Sequence, residues 1–169
     1  EIPIWLDLNS PCRVIHPGTD CEMDSDSYGI SKNIASNYIN NLGKQTKSLK
    51  TSIIGPQLHT KASLLEWFLD QKEEIFGYTK AMWNGNTTLQ WAKQCLHLMK
   101  NWRAYSNIEI LEGECISKHD MLLMFSQVFN KNISIIPKDL GKNKLLKGNI
   151  KTPPLKIQLQ ELKKFYYNE

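Results

Sequence analysis

Apolar and polar positions in the first third of the chain change from a strand period to a helix period and back. Two β-prone runs cover residues 13–16 and 49–54, and each is followed by turn residues, Pro17-Gly18 and Gly55-Pro56. Between them, apolar residues recur at helical spacing over residues 30–42. Because parallel strands need a crossover connection, this order predicts a βαβ unit with a parallel sheet.

The rest of the chain continues to mix helices and short strands. Helical spacing predicts amphipathic helices at residues 62–75, 89–99, 117–129 and 155–165, and β-prone runs predict strands at 106–111 and 133–136. Thr87 or Thr88, and Ser117 with Asp120, are typical helix-capping residues. The predicted fold class is therefore α/β.

Composition and charge limit the functions that this pattern can serve. The 169 residues are 41% hydrophobic and 22% charged, which is typical of one soluble globular domain. The net charge of +4 comes from scattered lysines with mild enrichment at 138–151, where glycines favour a solvated loop, so we predict no nucleic-acid binding. No apolar run approaches the roughly 20 residues that cross a bilayer, so we predict no membrane association.

The cysteines and histidines indicate neither a disulfide framework nor a metal site. The four cysteines form no CxxC pair, and free thiols in a reducing cytoplasm are the simplest interpretation. No residues cluster with metal-ligand spacing, so we predict no metal. The predicted location is cytoplasmic.

Tyr28 and Lys32 form the pair that points most directly to chemistry. Positions i and i+4 share one face of a helix, so the ammonium of Lys32 can approach the phenol of Tyr28. A nearby cation stabilises a phenolate, which suits a phenol to act as general acid or base. The spacing alone is common on ordinary helix faces, and the pair by itself leaves both interpretations open.

Six sequence blocks in succession carry a more specific signal. They are Val14-Ile15-His16-Pro17-Gly18-Thr19-Asp20-Cys21, Tyr28-Gly29-Ile30-Ser31-Lys32, Thr51-Ser52-Ile53-Ile54-Gly55-Pro56, Gly77-Tyr78-Thr79-Lys80-Ala81, Trp83-Asn84-Gly85-Asn86-Thr87-Thr88-Leu89 and Ile116-Ser117-Lys118-His119-Asp120-Met121-Leu122. Their order resembles the second half of an extended short-chain dehydrogenase/reductase. Within that superfamily the chain is most similar to the dTDP-4-dehydrorhamnose reductase group of sugar-nucleotide enzymes.

This resemblance implies a role for several residues. Tyr28 would exchange a proton with the substrate, Lys32 would contact the nicotinamide ribose, and Thr19 would hydrogen-bond the substrate oxygen. The backbone at Ile54 and Gly55 would lie near the nicotinamide of NAD or NADP, and His59 and Lys61 would contact a nucleotide-sugar substrate. The alternatives are purely structural: Thr19 caps a turn with Asp20, and His59 is an ordinary loop residue.

The implied activity is reduction of a 4-keto sugar nucleotide for surface polysaccharide biosynthesis. The alternatives within the superfamily are an epimerase or dehydratase, which use the same Tyr and Lys, and a non-catalytic relative that binds a sugar nucleotide. The resemblance implies a truncated Rossmann-like part at residues 1–56, a mixed α/β substrate-binding part at 57–169, and allows a homodimer.

Two departures from the superfamily pattern affect the expected cofactor site. The nine glycines make no G-x-x-G-x-x-G fingerprint, so the first βαβ units that hold the cofactor pyrophosphate are expected to be missing. Thr19 and Tyr28 are separated by only eight residues, fewer than the family usually places there. We therefore expect this chain alone to bind NAD(P) poorly.

Overall fold

The structure is a computed structural model that describes residues 2–57, 60 and 63–167. Its helices are α1 (Ile2–Asn9), α2 (Ser27–Leu42), α3 (Leu64–Asp70), α4 (Thr88–Lys100), α5 (Lys118–Phe129) and α6 (Leu155–Tyr167). Its strands are β1 (Val14–Gly18), β2 (Thr46–Lys50), β3 (Ile53–Ile54), β4 (Ile75–Tyr78), β5 (Met82–Trp83), β6 (Asn86–Thr87), β7 (Ile108–Glu112), β8 (Ile116–Ser117), β9 (Ile135–Lys138) and β10 (Ile150–Lys151).

The main sheet is parallel and has the strand order β1-β2-β7-β10. The unit β1–α2–β2 is the βαβ unit that the sequence predicts, so the α/β class with a parallel sheet is confirmed. Helix α4 covers one face of this sheet, where Leu98 packs with Leu49 and Leu111. The other face, which lies under α2, carries polar residues of β1 and β2.

Strand β1 lies at the edge of the described sheet. The amide of Val14 donates to Gln45 O at 2.9 Å, and the parallel register then continues from residue 14 to residue 18. In a parallel pair alternate residues bond the same neighbour, so Ile15 and Pro17 direct their backbone groups away from β2. The carbonyl of Pro17 accepts a hydrogen bond from Lys32 Nζ at 3.0 Å.

The predicted second strand at residues 49–54 is wrong in its bounds. The structure has β2 at Thr46–Lys50 and the separate short strand β3 at Ile53–Ile54. Thr46, Lys47 and Ser48 are buried although they are polar, so hydrophobic patterning does not mark them as a strand.

Buried Asp7 of α1 fixes where β2 begins. Its carboxylate accepts hydrogen bonds from the amides of Lys44, Gln45 and Thr46 at 2.8–3.1 Å. The hydroxyl of Tyr38 donates to the same carboxylate at 3.2 Å. Burial opposes ionisation of Asp7, but these hydrogen bonds outweigh it and lower the pKa of the carboxyl.

The larger hydrophobic core lies between α3, α5 and α6. Phe68 and Phe125 meet edge to face with 5.6 Å between their ring centroids, and Leu159 is fully buried beside them. The predicted end of a strand before Pro137 is also wrong, because Pro137 lies within β9 opposite Gly77. A two-stranded sheet tolerates this proline because neither strand needs hydrogen bonds on both sides.

Helices α1 and α2 present an apolar outer surface, which we call the α1–α2 face. It comprises Ile2, Trp5, Leu8, Ile30, Ile34 and Leu42, each at least half exposed. The helical spacing predicted for α2 is correct, but much of its apolar stripe faces outward. The residues that α2 buries are Gly29, Ala35, Ser36 and Ile39.

Strands β7 and β10 come from the part of the chain beyond residue 56 and complete the main sheet. The division into parts at 1–56 and 57–169 stays a prediction. None of the described helices is long and apolar enough to cross a membrane.

Candidate active site

A tight connection between β1 and α2 positions Tyr28 and Lys32. Asp26 caps α2, and its carboxylate accepts from Gly29 N at 2.6 Å. A Cβ at residue 29 would collide with the carbonyl oxygens of Cys21 and Asp24. Only glycine lets the first turn of α2 pack this closely on the preceding turn, and the short segment after Thr19 closes in this way.

Lys32 lies beside the ring of Tyr28 at the carboxyl end of β1. Its Nζ is 5.8 Å from the Tyr28 ring centroid and 3.0 Å from Pro17 O. Tyr28 is 52% exposed, and neither Tyr28 nor Lys32 lines the cavity bordered by residues 52–54. The structure thus brings the predicted pair together, with the ammonium over the ring.

Thr19 caps the 3-10 helix at Asp20–Met23 that follows β1. Its hydroxyl accepts from Cys21 N and donates to the Asp20 carboxylate, each at 3.2 Å. These are the contacts of the alternative in which Thr19 caps a turn with Asp20. A contact between Thr19 and a substrate oxygen stays a prediction, and it would require the hydroxyl to turn away from Asp20.

Buried His16 lies on β1 near the Lys32 ammonium. It is 8% exposed, and its Nε2 has no hydrogen-bond partner within the described residues. Burial, followed by the positive charge of Lys32, lowers the pKa of His16 to about 4, while Glu22 acts in the opposite direction. The imidazole is therefore neutral near pH 7.

Ile54 ends β3 and lines a central cavity, and Gly55 follows it in the chain. Ile54 is buried, and a Cβ at residue 55 would collide with Thr88 Oγ1. The carbonyl of Gly55 accepts from Ser63 Oγ at 2.8 Å. The space that this glycine leaves is thus filled by Thr88. His59 and Lys61 lie outside the described residues.

The central cavity has a volume of about 500 Å³. Ser52, Ile53 and Ile54 form part of one wall, and Asp20 and Cys21 border it from the segment that follows Thr19. Three cationic side chains also line it, namely Lys118, Lys142 and Lys144. A volume of this size is within the range of small-molecule sites.

Lys144 ties this cavity to the β1–α2 connection. Its Nζ donates to Asp24 Oδ2 at 2.8 Å and lies 3.4 Å from Cys21 Sγ. This hydrogen bond raises the pKa of Lys144 and lowers that of Asp24. Sequence reasoning missed Lys118, at the start of α5, and Lys144 as site residues, because an isolated lysine carries no signal of its own.

An apolar cavity of about 410 Å³ adjoins the central cavity. Leu64, Tyr78 and Lys118 line both, while Trp67 and Phe76 line only the apolar one. Trp67 therefore borders a cavity instead of only packing in the core. Among the described residues, no group of His, Cys, Asp and Glu could hold a metal ion.

The architecture is a Rossmann-like fold similar to that of solved sugar-nucleotide reductases, epimerases and dehydratases, which confirms the predicted resemblance at the level of the fold. No protein-family model and no curated protein sequence matches the chain. The chain spans about two thirds of the length of the solved structures that it resembles.

Among these is a dTDP-4-dehydrorhamnose reductase from Clostridium acetobutylicum, with a TM-score of 0.73 and 12% identity over 92% of this chain and 66% of the other. A second dTDP-4-dehydrorhamnose reductase, from Bacillus anthracis and in complex with NADP, has a TM-score of 0.71 and 13% identity, covering 95% of this chain and 67% of the other. A UDP-N-acetylglucosamine 4-epimerase from Bacillus cereus has a TM-score of 0.71 and 12% identity, covering 99% of this chain and 68% of the other.

Proposed function

We propose that this chain supplies the proton-transfer and substrate-binding part of an NAD(P)-dependent reductase of 4-keto sugar nucleotides, in the biosynthesis of surface polysaccharide sugars. The observation that carries the proposal is the Tyr28–Lys32 pair at the carboxyl end of a parallel strand, where open α/β sheets bind ligands. Solved structures with this fold include sugar-nucleotide reductases.

The proposed chemistry follows from the two side chains. Reduction of a ketone develops negative charge on its oxygen, and the exposed hydroxyl of Tyr28 donates the proton that neutralises it. The ammonium of Lys32 stabilises the phenolate that remains. Thr19 provides a second donor to the same oxygen once its hydroxyl leaves Asp20.

The central cavity is the proposed site for the nucleotide sugar. Lys118 and Lys142 suit the negative charges of a diphosphate, whereas Lys144 is paired with Asp24. Asp20 and Cys21 connect the cavity to the segment that carries Thr19, which does not itself line it. The adjoining apolar cavity, with Trp67 and Phe76, offers aromatic surface for a base. His59 and Lys61 remain proposed substrate contacts.

The chain's residues fit only one end of a nicotinamide dinucleotide. Tyr28 and Lys32 suit the nicotinamide ribose, and Ile54 and Gly55 are the proposed backbone neighbours of the ring. The space beside the Cα of Gly55 is occupied by Thr88 and not left open for a cofactor. The sequence also has no glycine fingerprint that would bind the pyrophosphate. When bound, the cofactor supplies or accepts a hydride. We propose that this chain alone binds it weakly, and a cofactor-fluorescence titration with micromolar affinity would contradict this.

The decisive experiment is product analysis with a 4-keto sugar nucleotide and NADPH, using the longest chain that contains this sequence. NADPH consumption that Tyr28→Phe and Lys32→Met abolish supports a reductase. The matched control is Tyr166→Phe, which changes another half-exposed tyrosine far along the chain and is expected to leave turnover unchanged. Equal turnover in Tyr28→Phe would refute the proposed proton donor.

A second candidate is epimerisation or dehydration of a sugar nucleotide. The observation that favours it is the similarity to a UDP-N-acetylglucosamine 4-epimerase and to a dTDP-glucose 4,6-dehydratase from Bacillus anthracis. Isomerised or dehydrated product without net NADPH consumption would select it over the reductase. Binding of the sugar nucleotide without any turnover would instead select a non-catalytic relative.

We also propose a cytoplasmic homodimer that buries the α1–α2 face. Helices α1 and α2 contact each other, and five of their apolar residues are at least half exposed, namely Ile2, Trp5, Leu8, Ile30 and Ile34. Light scattering tests this assembly. Trp5→Glu is expected to shift a dimer to monomer, and a monomeric parent protein would contradict the proposal.

A further inference from the structure

A third cavity, which we call the α2 cavity, lies between α2 and the polar face of the main sheet. Its volume is about 300 Å³, which is at the lower end of the range for small-molecule sites. Of the residues that line it, only Asp20 also lines the central cavity. The two cavities are therefore distinct sites on either side of the turn that follows Thr19.

Asparagines from one face of α2 form a wall of this cavity. Asn33, Asn37 and Asn40 are spaced by four and three residues, so they share a face of the helix, and Ser36 lies among them. Asparagine lowers helix stability by roughly 0.5 kcal/mol relative to alanine. Three of the four asparagines of α2 lie on the cavity side, where their amide groups are available to a ligand.

Much of the hydrogen-bonding capacity of this wall is unused. Asn37 Nδ2 donates to Asn33 Oδ1 at 2.7 Å. The side chains of Ser36 and Asn40 make no hydrogen bond to another residue in the described part of the chain, although Ser36 is buried. The wall thus presents free amide and hydroxyl groups, which can both donate and accept.

The cavity's cation is paired, and two carboxylates, those of Asp20 and Glu22, also line it. Lys50 pairs with Glu22 at 2.6 Å, and both side chains are largely buried. The amide of Thr19 also donates to the Glu22 carboxylate at 3.4 Å. Among the described lining residues Lys50 is the only cation, so the cavity offers no unpaired positive charge to an anion.

Apolar side chains complete the lining. Ile108 at the start of β7 and Leu146 lie in the wall with the amides. Neutral amides and hydroxyls beside apolar surface match a molecule that carries hydroxyl groups around a carbon skeleton. A phosphate is disfavoured there, because the carboxylates of Asp20 and Glu22 line the cavity and would repel its charge, while the cation Lys50 is already paired.

We propose that the α2 cavity binds a small neutral polyhydroxylated molecule of about monosaccharide size, at a site separate from the central cavity. The ligand's hydroxyls bond the side chains of Ser36, Asn37 and Asn40, and its carbon face contacts Ile108 and Leu146. Binding there requires neither Tyr28 nor a nicotinamide cofactor, but the cavity shares one lining residue, Thr19, with the proposed active site.

Ligand-observed NMR with D-glucose, L-rhamnose, glycerol and inorganic phosphate as separate probes tests this proposal. At least one of the two sugars is expected to bind more tightly than phosphate. Asn40→Leu fills the cavity and removes an amide, and we expect it to weaken that binding about tenfold or more, equivalent to about 1.4 kcal/mol. The matched control is Asn41→Leu, because both asparagines are exposed but only Asn40 lines the cavity.

The variants and probes separate the outcomes. Circular dichroism checks that each variant folds, and Ser36→Ala replaces Asn40→Leu if the latter does not. Tyr28→Phe is expected to leave sugar binding unchanged, which distinguishes this site from the proposed active site. The proposal is overturned if neither sugar binds, if phosphate binds more tightly, or if Asn40→Leu and Asn41→Leu have equal effects.

Discussion

Acidification below neutral pH is expected to destabilise this protein through His16. The imidazole is buried on β1, and burial together with the charge of Lys32 holds its pKa at about 4, against 6.5 for the free side chain. Between these two values the unfolded chain takes up a proton that the folded chain excludes. Stability therefore rises with pH across this window and falls as the pH is lowered.

The expected loss follows from the difference between the two pKa values. One pKa unit corresponds to about 1.4 kcal/mol, so moving from near pH 7 to about pH 5 should lower the free energy of unfolding by about 2 kcal/mol. This is a large share of the free energy of unfolding of a typical domain, which is roughly 5–15 kcal/mol.

Urea unfolding at a series of pH values, followed by tryptophan fluorescence, measures this loss. His16→Leu removes the titrating group and should flatten the pH dependence between about pH 4 and pH 6.5, the two pKa values of the residue. His97→Gln changes an exposed histidine and serves as the control. An unchanged pH slope in His16→Leu would refute the reasoning, and Lys32→Met should raise the pKa of His16 in an NMR titration.

Three further changes test other parts of the structure. Asp7→Ala leaves the buried amides at the start of β2 without their acceptor and should cost about 2 to 3 kcal/mol in urea unfolding, more than the roughly 1 kcal/mol expected for removing the helix cap with Asp26→Ala. Equal losses would contradict this assignment. Burial raises the pKa of Cys95 to about 11, so a thiol reagent near neutral pH should modify exposed Cys12 and Cys115 first; a Cys95 that reacts as fast as Cys12 would be inconsistent with burial. Gly55→Ala places a methyl group against Thr88 and should lower the free energy of unfolding by about 1 to 3 kcal/mol. Adding Thr88→Ala in the same chain should restore part of the lost stability. No loss in the single variant would show that Thr88 moves freely.

Local patterns in the sequence predict the order of the βαβ unit and its helix, but not its strand bounds. Strand β1 continues through Pro17-Gly18, whose turn chemistry predicts its end, and β2 begins at Thr46. The apolar spacing of α2, the polar residues before it and Gly43 after it are signals that depend only on neighbours in the chain. The caps at Thr87 and Ser117 are confirmed for the same reason, since a cap bonds an amide three residues away. The α/β class and the parallel sheet follow from these elements.

Features that depend on distant contacts are beyond such patterns. Asp7 sets the start of β2 from 37 or more positions away, and no property of Thr46 or Ser48 signals a buried strand. The outward direction of Ile30 and Ile34 depends on which face of α2 meets the sheet. Likewise, Lys144 becomes a site residue only because the fold brings it to Asp24, 120 positions earlier.

The contact between Lys32 and Pro17 has a consequence for how the sheet meets other chains. An open strand edge recruits another extended strand through its free N–H and C=O groups. At the edge of β1 the proline offers no N–H, and its carbonyl is occupied by the lysine ammonium. Any strand that added alongside β1 would have to displace Lys32 from this carbonyl or share it, so the lysine proposed for chemistry also makes the edge of the sheet a poor template for aggregation.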